Sequence, residues 1–298
     1  MLPAIKTKKE DGRRAGLIQL ITIMKIFSVV DHGPVKSVEI GYSPFSRPLM
    51  TTRVYFVDSI LFDSGLRHCR QEVVDWLADQ TVTRIYLTHH HEDHSGNAAA
   101  IKHILGVPVY GNAITAEKLS KPLPIFPYQR LIWGPTTPLK VTVNNKDIVE
   151  TDNYRFQAIH TPGHSRDHTV YFESNHGWLI SGDLFLSERI KYFRADEILK
   201  DQITSLEKAV QLDFEALFCA HSPRIKNGKL HLAKKLDFLK SLVEEVEVHW
   251  LKGLNTRQIM KAIGMKEDKL IWLLCMGNVK AEHMINSAVK LLEEKTSN

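Results

Sequence analysis

The 298-residue sequence predicts an α/β fold, and three features of it carry that prediction. Short runs of β-branched, aliphatic and aromatic residues alternate with longer stretches of helical character. Several of these runs stop abruptly at a histidine or an aspartate. A long amphipathic helix and further helical segments then follow where the strand-like runs cease.

In chain order, residues 25–30 (Lys-Ile-Phe-Ser-Val-Val) open the first strand, and runs near 35–40, 51–57 and 60–62 continue the sheet. A helix is expected over 67–78, a buried strand over 83–88, a helix over 95–105 and a strand over 107–110. From 120 to 138 the chain should be irregular, because Pro122, Pro124, Pro127 and Pro135 interrupt regular hydrogen bonding. Phe126, Tyr128 and Trp133 are too apolar to be left in water, so this segment is expected to wall a pocket. Residues 187–194 form a second candidate substrate loop, in which Arg189, Lys191 or Tyr192 would meet a polar substrate. Over 229–252, Leu232, Leu236, Leu239, Val243 and Val246 recur at three- and four-residue steps, as on one face of a helix. Two apolar segments, 256–263 and 268–276, are expected to pack, and Asn278 is placed to cap a last helix over 279–294.

The domain expectation follows: a flexible basic extension over 1–24, a catalytic domain over 25–225 and a helical region over 226–298. Five basic against two acidic residues make the first segment +3, while the central one is −2 (21 against 23) and the last +4 (13 against 9). No apolar run approaches the length of a membrane span. Cys69, Cys219 and Cys275 are odd in number and form no disulfide framework, so a reducing cytoplasm is expected, with Cys219 and Cys275 as buried packing residues.

The chemistry concentrates in Thr88-His89-His90-His91-Glu92-Asp93-His94, which places four nitrogen or oxygen donors at the spacing His-x-His-x-Asp-His at the end of a strand. Four other runs end the same way: Leu61-Phe62-Asp63, Ile159-His160-Thr161-Pro162-Gly163-His164, Ile180-Ser181-Gly182-Asp183 and Phe218-Cys219-Ala220-His221. Mixed imidazole and carboxylate donors suit zinc, with iron or manganese as alternatives. This ordered set resembles the metallo-β-lactamase superfamily of hydrolases over residues 25–224. The resemblance implies an αββα sandwich, two mixed sheets flanked by helices, here with a C-terminal helical extension. It further implies two zinc ions, the first held by His89, His91 and His164 and the second by Asp93, His94 and His221, with Asp183 bridging them. Asp63 would orient a ligating imidazole, and His168, in Gly163-His-Ser-Arg-Asp-His168, is expected near the cleft, behind the ligands with a structural hydrogen bond or, as the alternative, as a proton donor.

Two metals sharing a water make a nucleophile available at neutral pH, with Asp93 and Asp183 as the catalytic carboxylates. The expected activity is hydrolysis of an ester, thioester or lactone of a small, anionic metabolite in a glyoxalase II-like branch. Cleavage of single-stranded RNA is the alternative, because the Thr-Pro-Gly-His-Ser-x-Asp-His element is similar to that of lactamase-like proteins that cut RNA. A mononuclear iron persulfide dioxygenase and a non-catalytic sensor rank below these. Asp183 stands where class B β-lactamases lack an aspartate, and His91 where flavodiiron oxidases carry glutamate. The glycine/cysteine run of glyoxalase II and the tRNase Z exosite arm have no counterpart. Nucleic acid is thus the less favoured partner, and the helical tail is a candidate dimer surface.

Overall fold

The computed structural model describes residues 23–45 and 47–297, so the extension expected over 1–24 lies, but for its last two residues, outside the described part. The first sheet consists of β1 (Met24–His32), β2 (Val35–Ser43), β3 (Thr52–Val57), β4 (Ile60–Phe62), β5 (Arg84–Tyr86), β6 (Val109–Gly111) and β7 (Thr142–Val143), in that spatial order. Pairing is antiparallel from β1 to β4 and parallel from β4 to β7. Its connections carry α1 (Arg70–Leu77), α2 (Glu92–Ser95), α3 (Ala98–Leu105), α4 (Ala113–Leu119) and α5 (Pro127–Ile132). The second sheet is formed by β8 (Ile148–Glu150), β9 (Arg155–His160), β10 (Thr169–Glu173) and β11 (Trp178–Gly182), with β13 (Ala216–Cys219) parallel to β11. Between β11 and β13 lie β12 (Phe193–Arg194) and α6 (Leu199–Ala209). The chain ends with α7 (Gly228–Trp250), α8 (Thr256–Ala262), α9 (Lys269–Leu274), β14 (Val279–Lys280) and α10 (Ala281–Thr296).

Strand periodicity sorts the core into layers. Successive side chains of a strand point to opposite faces, and central strands here are apolar on both. Tyr55 and Val57 of β3, Phe62 of β4, Tyr171 of β10, Ile180 of β11 and Phe218 of β13 fill the space between the sheets. Their neighbours Val54, Phe56 and Leu61 face α1 and α3, together with Val73, Leu77 and Ile101. Leu179, Leu217 and Cys219 face α6, α7 and α10, against Leu206, Leu239 and Ile285. The result is the four-layer αββα arrangement expected from the resemblance, with the C-terminal helices packed together on the outside of the second sheet. Among the described residues no helix is long and apolar enough to cross a membrane.

Two buried tyrosines tie the sheets together beside the polar strand ends. Tyr171 on the second sheet donates its hydroxyl to the Leu87 carbonyl oxygen on the first (2.8 Å), and Tyr55 on the first donates to Cys219 on the second (2.6 Å). Leu87 precedes the histidine cluster and Cys219 precedes His221, so each bond fixes a segment that carries site residues.

Four local expectations need correction. The 120–138 segment is not wholly irregular: Pro127 occupies the first turn of α5, where its missing N–H costs nothing, and Gln129 Oε1 accepts the Phe126 N–H (2.8 Å) to cap it. The helix expected over 95–105 is split at Gly96 and Asn97, and Asn97 instead donates to the Ser64 and Leu66 carbonyl oxygens (3.0 and 2.9 Å). The 268–276 segment does not pack as expected: no residue of α9 is buried, because α7, α8 and α10 supply the core of that region, and Cys275 is half-buried only. Asn278 does not cap the last helix. The Glu267 carboxylate takes the N–H groups of Ala281 and Glu282 (3.2 and 2.6 Å), which frees Asn278 to donate to the Tyr128 hydroxyl (2.8 Å).

Candidate metal centre

The seven donors named from the sequence come together at one edge of the sandwich, and they fall into sets. The donor atoms of His89, His91 and His164 lie within 4.8 Å of one another, as do those of Asp93, His94 and His221 and those of His89, His94 and Asp183. In the first set His91 Nδ1 is 2.8 Å from His89 Nε2 and 3.1 Å from His164 Nε2. In the second, Asp93 Oδ2 is 3.5 Å from His94 Nε2 and 3.4 Å from His221 Nε2. Asp183 faces both: its Oδ1 is 3.3 Å from His94 Nε2 and from His221 Nε2, and its Oδ2 is 3.3 Å from His164 Nε2.

These spacings suit cations. A tetrahedral ion with bonds of about 2.0–2.1 Å holds its ligands about 3.3 Å apart. His94 Nε2 and Asp183 Oδ1 are buried at that separation, and neither has a hydrogen-bond partner. His91 Nε2 and His164 Nδ1 are likewise buried without one. Buried polar atoms are seldom left unsatisfied, and an ion would satisfy the pair that converges. The all-imidazole first set and the imidazole–carboxylate second set both fall within zinc's preferences.

The groups behind the donors aim them. Asp63 has left-handed backbone (φ 62°), which is unusual outside glycine. It accepts the Thr88 N–H at Oδ1 (2.7 Å), and its Oδ2 receives His94 Nδ1–H (2.7 Å). With the proton on Nδ1, His94 Nε2 is left as a ligand atom. His221 is fixed in the same way, its Nδ1–H donating to the Thr51 carbonyl oxygen (2.7 Å). His168 Nε2 accepts the Asp183 N–H (3.0 Å), which puts its own proton on Nδ1, facing Thr161 Oγ1 (2.8 Å). Burial lowers the His168 pKa to about 3, so it stays neutral and positions the Asp183 backbone. Between them Gly182 is indispensable: at φ +47°, an added Cβ would lie 2.8 Å from His168 Nε2 and from Thr88 Oγ1.

Electrostatics differ between the sets. Burial lowers the pKa of His89 and of His91 well below the usual imidazole value, and Arg194 lowers His91 further, so both are neutral. Burial acts the same way on His221, but Asp183 and Asp93 outweigh it and push it up to about 10; His94 is raised as well, by Asp93, Asp183 and Asp63. The carboxylates thus draw positive charge to the second set, for which protons and metal ions compete.

The proposed substrate residues are placed less uniformly. Phe126 is exposed and lies 6.0 Å from the Tyr128 ring, while the Tyr128 hydroxyl meets Asn278. Trp133 packs on the core beneath α1 and α3. Tyr192 packs on the core under the C-terminal helices, close to Asp268, and Arg189 is exposed. Sequence reasoning passed over Arg194, the cation of the same loop that acts on His91 and Glu92. It also missed Gln129, which donates to the buried Glu92 (3.1 Å) and so fastens α5 beside the cluster. A third omission is the network in which Asp167 accepts from Thr115 (2.7 Å) and His90 (2.8 Å) while Lys118 donates to His90 Nε2 (3.1 Å). The only signal for it was that His90 and Asp167 sit inside the two histidine motifs.

Comparison with known proteins agrees with this geometry. The profile of the metallo-β-lactamase superfamily matches residues 49–221. The chain is 29% identical over 264 residues to the β-lactamase-like protein 2 homolog of Drosophila melanogaster, covering 80% of this chain and 83% of that protein. It is 32% identical over 148 residues to the hydroxyacylglutathione hydrolase of Yersinia pestis (strain Pestoides F), covering 49% of this chain and only half (50%) of that protein's length. The crystal structure of a metallo-β-lactamase family protein from Thermus thermophilus superposes with a TM-score of 0.61 at 18% identity, over 88% of this chain and 94% of that one; at such identity the likeness speaks for the fold alone.

Proposed function

The chain belongs to the metallo-β-lactamase superfamily, and on that premise we propose that it is a dinuclear zinc hydrolase cleaving an ester, thioester or lactone of a small, anionic metabolite. The observation that carries this reading is the position of Asp183, one carboxylate oxygen toward His94 and His221 and the other toward His164. A carboxylate turned toward both sets can be shared by two ions.

His89, His91 and His164 would hold one ion, and Asp93, His94 and His221 the other, with Asp183 shared. Zinc at such a site supplies Lewis acidity and lowers the pKa of water to about 7. The chain's own residues do the rest. Asp93 and Asp183 are buried among the imidazoles and would offset the charge of the ions, and Asp93 would orient the attacking water. Asp63 and His168 keep the ligands in register, by way of the His94 ring and the Asp183 backbone. Arg194 on the α5 side of the cluster is already paired with Asp196 (3.2 Å), so it is the ions themselves that would favour an anionic substrate. The thioester choice is further supported by the activity named for the Yersinia relative, although that match spans half of each protein.

The test is turnover by protein of measured zinc content, offered a thioester, a lactone, a phosphodiester and an oligoribonucleotide. Thioester or lactone hydrolysis that resists added salt and vanishes on chelation is expected. Cleavage of the oligoribonucleotide alone, weakening steeply with salt, would replace this reading with the RNA one. One bound iron and no zinc would replace it with dioxygen chemistry.

A further inference from the structure

A cleft of about 570 Å³ opens among the C-terminal helices, formed by α8, the segment leading into α9, α9 itself and β14. Its composition is that of neither a packing defect nor a simple anion patch. Met260, Met265 and Trp272 supply apolar surface, and Lys261, Lys266 and Lys269 surround it. Trp272 is 49% exposed. Its ring rests on the side-chain-free Gly277, where an added Cβ would come within 3.3 Å of the indole Nε1.

The charges are left over by design of the local contacts. Both carboxylates of the cleft are already engaged: Glu267 accepts the backbone N–H groups at the start of α10, and Glu282 pairs with Lys280 (2.6 Å) and lies 3.7 Å from Arg257. Among the described residues the ammonium groups of Lys261, Lys266 and Lys269 have no hydrogen-bond or ion-pair partner. Three ammonium groups without a carboxylate partner line one hollow, and each can meet an anion bound there. A phosphate alone would leave the exposed indole unused, since Met260 and Met265 already pack on the core. A planar base stacked on the indole uses it, as aromatic stacking accepts any nucleobase, and the volume is that of an ordinary small-molecule site.

We propose that this cleft binds a nucleoside phosphate, its base on Trp272 and its phosphates on Lys261, Lys266 and Lys269. The wall of the cleft is continuous with the loop that follows Asp183. Lys280 in its wall pairs with Phe193, and Arg194, the next residue of that two-stranded ladder, acts on His91. Resting on the hydrolase reading, the site names a substrate class: a thioester whose thiol carrier ends in an adenosine phosphate, held by its nucleotide while the acyl bond lies at the metals. The 3′ part of an RNA chain presents the same chemistry, and the experiment separates the two.

Isothermal titration of the zinc-loaded full chain uses ADP, adenosine and pyrophosphate as probes. ADP should bind at least tenfold more tightly than either fragment, and Trp272→Ala and the triple variant Lys261→Gln/Lys266→Gln/Lys269→Gln should each weaken ADP at least tenfold. Trp272→Phe, which keeps a stacking surface, should restore much of the loss. ADP binding no tighter than its fragments, or indifferent to both variants, overturns the site. In turnover, Trp272→Ala should raise KM for acetyl-coenzyme A about tenfold while kcat, and KM for the nucleotide-free S-acetylpantetheine, stay as in the parent. The same KM change on an oligoribonucleotide instead would assign the nucleotide to RNA and overturn the thioester class. ADP binding that depends on Trp272, without turnover of any ester, thioester or lactone, would uphold the site and defeat the hydrolase reading.

Discussion

Replacing Asp63 by asparagine separates aim from charge at the second donor set. Asparagine tolerates the left-handed backbone found at this position (φ 62°), so the substitution brings no new strain. Its amide oxygen can still accept the Thr88 N–H, now 2.7 Å from Oδ1. The amide NH2 then replaces Oδ2, 2.7 Å from His94 Nδ1, and sets a donor against a donor. The imidazole escapes by moving its proton to Nε2, the atom that lies 3.3 Å from Asp183 and 3.5 Å from Asp93 and would otherwise bind the ion. Losing a hydrogen bond to a charged group costs about 1.5–3 kcal/mol, which at 1.4 kcal/mol per decade is about tenfold to a hundredfold in affinity, the range found when ligand-orienting groups are removed. Competition with a chromogenic chelator resolves two zinc dissociation constants. The ion on Asp93, His94 and His221 should loosen by that factor, while the ion on His89, His91 and His164 changes little, so that one of the two constants moves. Two unchanged constants in a folded Asp63→Asn protein would refute the orienting role.

Three further outcomes are expected. Asp183→Asn keeps the shape of a side chain 3.3 Å from three imidazoles but removes its charge, so bound zinc should fall from two ions toward one and turnover by orders of magnitude; full activity with two ions would exclude a shared carboxylate. Tyr171→Phe strips the buried Leu87 carbonyl of its side-chain donor and should lower unfolding stability by about 1–3 kcal/mol in urea titrations, a neutral result counting against the inter-sheet tie. Lys235 is buried, donates to the Leu184 carbonyl oxygen (2.8 Å), and burial lowers its pKa from 10.5 to about 8. Below pH 8 the folded protein must hold a buried ammonium that the unfolded chain hydrates freely. Between pH 8 and 10.5 only the unfolded chain retains that proton, so stability from this group rises with pH, by about 3 kcal/mol in all. The gap between Lys235→Met and the parent should therefore shrink by about that amount over this window, and a gap that ignores pH would contradict the assignment.

The layers of the fold and the seven donors were legible because both are local patterns. An apolar run of four or five residues announces a strand, and the polar residue that ends it must emerge at the sheet edge, as Asp63, Asp183 and His221 do. The aiming of those donors was less legible. That His94 meets Asp63 and that His221 meets the Thr51 carbonyl depends on contacts across 31 and 170 residues of sequence. The choice of Arg194 over Arg189 depends on β12 pairing with β14, which no motif in the 187–194 loop foretells. Asn278 has the chemistry of a helix cap, but Glu267, a residue remote from that helix end, had already taken the N–H groups it would have served. The apolar character of α9 signalled burial, yet a helix of six residues contributes too little area to displace the α7–α8–α10 packing, and none of its side chains is buried.

Zinc-edge anomalous diffraction from crystals of the zinc-loaded full chain tests the shared-carboxylate centre most directly. Two peaks about 3.5–4 Å apart are expected, one among His89, His91 and His164, the other among Asp93, His94 and His221, with an Asp183 oxygen on each. A single peak on the three histidines, with Asp183 turned away from it, would contradict the dinuclear site and the chemistry built on it.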